Sequence, residues 1–309
     1  MICKYCSSGH LSRKGYHYRK SDGMKISIRY ICKTCNRQFN RSLMDELINT
    51  DDLPKILLYD IETAPMEVFV WGLYKQFIPH DNIIKDWFVI SWSAKWLYDD
   101  NIKYGCVTPT ESKNRDDSRI LKSIWQLLDE ADICIGHNID RFDDRKLRAR
   151  FVLNDIEPPA PYRTIDTLKV ARKNFAFVSY KQDYLTKRFN LNEKIDVGKY
   201  GGFELWKKCV EGDQEALDLM LKYNKQDVRG LEDVYLKLRP FMKNHPNIGI
   251  LMDASVCTNC GSDHLEETDK YYFTSANRFK IIRCMNCKTP HIRQKKNSNS
   301  ETSDYRSIP

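Results

Sequence analysis

No uninterrupted apolar run in the sequence approaches the roughly 20 residues that a membrane-spanning helix needs, so no membrane partner is expected. The N-terminus, Met-Ile-Cys-Lys-Tyr-Cys, also lacks the basic-then-apolar segment of a secretory signal, and the expected location is the cytoplasm. A disulfide framework has equally little support. Of eleven cysteines, eight fall into four Cys-x-x-Cys pairs, a spacing that belongs to metal sites in a reducing compartment. Only Cys106, Cys134 and Cys209 stand alone, in apolar or helical surroundings, and they read as inert core residues. The compositional bias of disorder is missing too: with 41% apolar and 30% charged residues, a chain of 309 residues has room for one sizeable core plus small appendages.

Net positive charge is missing from the middle of the chain. The formal net charge is +8, of which residues 1–50 carry +7 and residues 251–309 carry +2, leaving −1 for the 200 residues between them. Four thiolates on one Zn²⁺ bring a site to about −2, so the basic excess of a metallated end is smaller than its count. A basic end beside a carboxylate-lined middle suits a polyanion gripped in one place and cut in another.

The cysteines fall at the two ends. Residues 1–41 contain Cys3-x-x-Cys6 and Cys32-x-x-Cys35 with alternating segments between them that read as a hairpin. Two such knuckles present four sulfurs tetrahedrally to Zn²⁺, a staple that so small a piece needs. His10 and His17 are left out because four cysteines already close the site. The pattern resembles the zinc ribbons at the ends of transposase and transcription proteins. Residues 250–293 repeat it with Cys257-x-x-Cys260 and Cys284-x-x-Cys287. Residues 42–54 read as a linker, and the polar stretch 294–309, rich in Asn and Ser, as a disordered tail.

From Lys55 the pattern turns α/β. Strands are expected at Ile56–Glu62, Val68–Leu73, Phe88–Leu97 and Ile102–Val107, an amphipathic helix at Ser118–Ala131, a buried strand at Ile133–Gly136, and a helix from near Asp143. Later helices are expected at Tyr180–Phe189, Phe203–Val210 and Asp213–Leu238. The first strand, Leu57-Leu-Tyr-Asp60-Ile-Glu62-Thr63, carries two acids in an apolar run. Burying an unpaired carboxylate is expensive, and alternate strand residues share a face, so Asp60 and Glu62 read either as a hard-metal site at the end of a buried strand or as two solvated acids in an exposed turn. After Gly136, spacing alone does not choose among Asp140, Asp143 and Asp144, any of which could be a helix cap. Tyr223 and Asp227, four apart, share a helical face.

Jointly, Asp60-x-Glu62, Phe142-Asp143 and Tyr223-x-x-x-Asp227 resemble the DEDD 3'-5' exonucleases of the branch that carries tyrosine in its third motif, which includes the proofreading domains of family A and B DNA polymerases. Gly136-His-Asn-Ile-Asp-Arg-Phe-Asp143 and Ser179-Tyr-Lys-Gln-Asp-Tyr-Leu185 add to the match, which covers about residues 55–242. The resemblance implies a ribonuclease H-like mixed sheet flanked by helices, with the two zinc ribbons as additions. It makes Asp60, Glu62, Asp143 and Asp227 the metal-binding acids and Tyr223 their catalytic companion. It excludes Asp140 and Asp144, because the family places its acid directly after the aromatic residue. Lys222 stands where the other branch carries histidine. No polymerase palm or thumb follows, so a free-standing nuclease is implied.

Four converging carboxylates would raise one another's pKa values, and two divalent cations resolve the conflict; all-oxygen ligation favours Mg²⁺ or Mn²⁺. The expected cofactors are therefore two Mg²⁺ or Mn²⁺ and two structural Zn²⁺. The expected substrate is a single-stranded 3' end, DNA favoured over RNA, with a protein partner on a ribbon as a further possibility. Lys225 and Arg229 are candidates for phosphate contact, and Trp87, Phe88, Trp92, Phe175 and Phe177 for stacking on a terminal base. Two alternatives stand beside this reading: a nucleic-acid-binding adaptor built on an idle scaffold, and a ribonuclease H-type endonuclease.

Overall fold

The computed structural model describes residues 5–6, 8, 10–18, 25–42, 54–189, 200–252, 254–293 and 305–308. Cys3, the side chain of His17, most of the expected linker (43–53) and residues 294–304 of the expected tail lie outside them. The chain forms two compact units, residues 55–238 and the two ends taken together.

Five strands form the sheet of the central unit. They are β4 (Ile56–Thr63), β7 (Val89–Trp96), β8 (Lys103–Cys106), β9 (Ile133–Gly136) and β10 (Arg163–Asp166), in the order β10-β9-β4-β7-β8. β4 runs antiparallel to β7 and parallel to β9, and β9 runs parallel to β10. The two parallel steps need crossovers. α1 (Pro109–Asn114) and α2 (Ser118–Glu130) lead into β9, and α3 (Asp143–Leu153) leads into β10. This is the mixed sheet flanked by helices that the sequence led us to expect.

Apolar periodicity explains the packing. On α2, Ile120, Leu121, Ile124, Leu127 and Leu128 are buried at helical spacing. Trp92 of β7, 2% exposed, donates its indole N–H to the Ile120 carbonyl at 2.8 Å. Trp92 and Phe88 are core residues, not stacking surfaces. Leu57, Tyr59 and Ile61 of β4 are buried in the same cluster. Their alternates Asp60 and Glu62 therefore face the other side, where the long helix α7 (Gln214–Leu238) crosses. Before it come α4 (Thr167–Asn174), α5 (Gln182–Arg188) and α6 (Glu204–Val210).

The second expected strand is cut short. Only Glu67–Val68 (β5) pairs, with Ile83–Lys85 (β6), and no strand backs the apolar residues that follow Val68. High β-propensity without a partner edge does not make a strand.

In the terminal unit, β1 (Leu11–Tyr18), β2 (Lys25–Cys32) and β3 (Gln38–Ser42) form a three-stranded antiparallel sheet. A second sheet contains β11 (Leu265–Phe273), β12 (Arg278–Cys284), β13 (Pro290–Arg293) and β14 (Tyr305–Ser307). β14 corrects the expectation of a disordered tail: it pairs antiparallel with β13, and Tyr305 and Ile308 are buried. Composition averaged over a polar stretch hid two apolar anchors at its far end. Among the described residues, no helix is long and apolar enough to cross a membrane.

Candidate active site and metal centres

The first strand and the last helix bring Asp60, Glu62 and Asp227 together, with carboxylate oxygens that all lie within 4.8 Å of one another. Asp143 stands beside this trio rather than in it, and the sheet explains its position. The parallel ladder between β4 and β9 runs only from Ile56/Ile133 to Leu58/Ile135. Beyond it the Ile61 N–H has no strand to bond, and Asp143 Oδ1 accepts it at 3.1 Å. Gly136 makes the turn possible, since a Cβ there would lie 2.7 Å from Cβ of Ile139. Asn138 follows in the left-handed region at φ 73° and donates its amide to Asp166 Oδ1 at 3.0 Å. Asp140 and Asp144 are engaged elsewhere. Asp140 pairs with Lys169 at 2.6 Å, and Asp144 takes the Tyr162 hydroxyl at 2.5 Å and Arg148 at 2.9 Å.

Helix α7 supplies more than one acid. Tyr223 bonds Asp227 through its hydroxyl, and burial and the carboxylates of Asp227, Glu62 and Asp60 raise its pKa well above the usual phenol value. Asn224, fully buried, donates to Asp60 Oδ2 at 2.7 Å and to the Asp60 carbonyl at 3.2 Å. From α5, Gln182 donates to the Asp227 carbonyl at 2.8 Å, and Trp206 of α6 bonds the Glu62 carboxylate. Asn224, Trp206 and Gln182 were missed as site residues. Gln182 lies inside the Ser179–Leu185 motif and Asn224 between Tyr223 and Asp227, so both had a signal; Trp206 had none.

Burial raises the pKa of Asp60, reinforced by the charges of Asp143, Glu62 and Asp227. Burial and Asp227 push Glu62 up to about 8, against the Trp206 bond. Burial lifts Asp143 to about 7, partly offset by the Ile61 amide. Such a cluster is costly unless cations share it. Ser93 and Ser91, the β7 partners of Asp60 and Glu62, share their face, and both hydroxyls are buried without a partner among the described residues, as is Asn224 Oδ1. An all-oxygen donor set with unsatisfied polar atoms around it fits a hydrated hard cation such as Mg²⁺ or Mn²⁺.

The other candidates fall outside this cluster. Lys225 lies 3.3 Å over the Tyr104 ring, and Lys146 lies 3.6 Å over Trp87. Phe175 and Phe177 stack on each other at 5.0 Å. His137 is held between Thr167 and the Tyr180 carbonyl, each at 2.9 Å.

At the C-terminal end, the sulfurs of Cys257, Cys260, Cys284 and Cys287 all lie within 4.8 Å of one another. The Cys257–Cys287 and Cys260–Cys284 separations are 3.5 and 3.6 Å, close to the roughly 3.8 Å edge of a tetrahedron with Zn–S bonds of about 2.3 Å. The donor set fits Zn²⁺. Buried His291 places Nε2 3.2 Å from Cys257, and the Thr289 hydroxyl is 3.1 Å from Cys287. With the sulfurs on Zn²⁺ as thiolates, which only accept, both groups would be outer donors that steady them; no spacing in the sequence singles out His291. At the N-terminal end, Cys6, Cys32 and Cys35 cluster in the same way, with Cys3 outside the described residues.

Residues 88–239 match a family model described as the RNase_H superfamily, a segment that includes Asp143, Tyr223 and Asp227 and begins after Asp60 and Glu62. No curated protein matches. Among solved structures, the family B DNA polymerase of the hyperthermophilic archaeon Pyrobaculum calidifontis is similar at 16% identity and a TM-score of 0.45, over 74% of this chain and 32% of the polymerase.

Proposed function

We propose that this ribonuclease H-like domain is a metal-dependent exonuclease that removes nucleotides from unpaired 3' ends, of DNA in preference to RNA. The convergence of Asp60, Glu62 and Asp227, with Asp143 alongside, carries the reading. These four acids would hold two Mg²⁺ or Mn²⁺. When bound, the ions supply an activated water and neutralise charge at the leaving 3' oxygen.

The chain's own groups position that chemistry. Asn224 fixes Asp60, the Ile61 amide fixes Asp143, and Trp206 fixes Glu62. Tyr223, its pKa raised, keeps its proton at neutral pH and serves as a hydrogen-bonding group that orients the attacking water, not as a base. The ribbons, each holding one Zn²⁺, are additions that grip nucleic acid or a protein partner. Thiolate ligands of this kind persist in the cytoplasm, where we place the protein.

The test is a 5'-labelled single-stranded oligonucleotide with Mg²⁺ or Mn²⁺. The expected product is a ladder shortening from the 3' end, lost in Asp60→Asn and Asp227→Asn. Full activity in either variant would overturn the assignment. Internal nicking of a circular strand would favour an endonuclease, and salt-dependent binding without cleavage an adaptor.

A further inference from the structure

The segment between β5 and β6 projects an unusual set of rings. Trp71 is 100% exposed, Phe77 92%, Tyr74 87% and Phe69 71%. Four large exposed rings within nine residues exceed the singly scattered apolar residues an ordinary surface carries and point to a binding surface. Of the six tryptophans, Trp71 alone is exposed. The base of this arm is nonetheless tied down. Arg115 donates to the Pro65 carbonyl at 3.1 Å on one leg and to the Asp86 carbonyl at 2.6 Å on the other, and also pairs with Glu67. Glu67 in turn pairs with Lys85 at 3.3 Å. At the foot of the tip, the Phe69 amide donates to the Asn82 carbonyl at 2.9 Å.

What covers these rings follows from position and charge. The arm begins where β4 ends, so Phe69 is only seven residues from Glu62, at most about 25 Å along an extended chain. Trp71, nine residues from Glu62, is at most about 32 Å away, a span that a few nucleotides of a single strand cover. The chain from 51 to 250 carries a net charge of −1, so general attraction for phosphates is weak there. Rings, unlike lysines, grip through the π-face that every base offers, and do so without sequence preference.

We propose that the arm spanning residues 69–78 is a stacking platform for unpaired nucleobases, with Trp71 and Phe77 as its main rings. The proposal rests on the nuclease reading for its ligand class and is testable apart from it. Trp71 then reports binding directly: a stacked base quenches its fluorescence.

The experiment titrates the 309-residue protein, dialysed free of Mg²⁺ and Mn²⁺ so that no cleavage occurs, with a short dye-labelled oligothymidylate, following tryptophan emission for quenching and the anisotropy of the dye for the affinity of every variant. The expected result is quenching that disappears in Trp71→Leu, with affinity about ten-fold weaker in Trp71→Leu and in Phe77→Ala. Trp71→Tyr, which keeps a π-face, should regain most of the affinity; an apolar socket on a protein would accept leucine instead. Both side chains are exposed, so the circular dichroism spectrum should not change. Unchanged affinity in Trp71→Leu and Phe77→Ala overturns the platform and leaves the nuclease assay standing. Quenching without any 3' shortening supports the platform while removing the nuclease. Self-association abolished by Trp71→Leu, with oligonucleotide affinity intact, also overturns it by assigning the arm to a second copy.

Discussion

Removing Mg²⁺ and Mn²⁺ while leaving zinc in place should make the central unit lose stability as pH rises. Glu62 titrates near 8 in the folded protein and Asp143 near 7, against ordinary values of 4.5 and 3.8. Between those limits the folded state keeps protons that the unfolded chain releases. The stabilisation is thus fully present below about pH 4, declines through neutrality, and is gone above about pH 8. At ~1.4 kcal/mol per pKa unit, and with the carboxylates sharing one field, the loss between pH 5 and 8 should be a few kcal/mol. For a domain of this size that is on the order of 10 °C in melting temperature. Divalent cations compete with those protons, so 10 mM Mg²⁺ or Mn²⁺ should add little at pH 5 and restore most of the loss at pH 8. Scanning calorimetry at both pH values, with and without metal, measures this. Asp227→Asn removes the largest charge acting on Glu62 and should flatten the metal-free profile while abolishing the metal response. A melting temperature that stays level from pH 5 to 8 without metal, or an equal rise with metal at both pH values, would refute the reasoning.

Other outcomes follow from single contacts. On the proposed nuclease reading, in which the hydroxyl orients water rather than binds substrate, Tyr223→Phe should lower kcat by one to two orders of magnitude with KM little changed; single-turnover rates measure it. Asn224→Ala leaves Asp60 without its donor and should cost about 1–3 kcal/mol of stability by denaturant titration, with weaker Mn²⁺ binding by calorimetry. Asp117, fully buried, accepts the Val89 amide at 2.8 Å and pairs with Arg150 at 2.7 Å. Asp117→Ala should therefore destabilise the central unit by roughly 3–5 kcal/mol through the stranded guanidinium. If the Cys257, Cys260, Cys284 and Cys287 cluster holds Zn²⁺ as proposed, His291→Phe should speed its loss to a chromogenic chelator at least about ten-fold, because the group beside Cys257 Sγ is gone.

Strand and helix periodicity located most of the sheet and placed Asp60 with Glu62 and Tyr223 with Asp227, because those features are local: alternation in β4, and four-residue spacing in α7. What stayed hidden depended on tertiary context. Nothing near Trp206 in the sequence marks it as a partner of Glu62, since α6 and β4 are more than 140 residues apart and meet only in the fold. His291 was overlooked because four cysteines satisfied the ligand count, and a donor to a sulfur leaves no spacing signature. The choice of Asp143 over Asp140 and Asp144 came from a resemblance. The structure supplies the physical reason: the other two are already spoken for by Lys169, Tyr162 and Arg148. Val68–Leu73 misled because an apolar run looks alike whether it is destined for a sheet or for solvent.

The unpaired amide of Ile61 has a wider consequence. β4 and β9 part company after Leu58 and Ile135, and the second-motif acid sits in the fork they leave. Carrying that register on by two more residue pairs, to Asp60 beside His137, would satisfy the same N–H with the His137 carbonyl and evict Asp143. The placing of Asp143 thus depends on a hydrogen bond the sheet declines to make, and, on the nuclease reading proposed above, changes that lengthen β9 should strengthen the fold while abolishing activity.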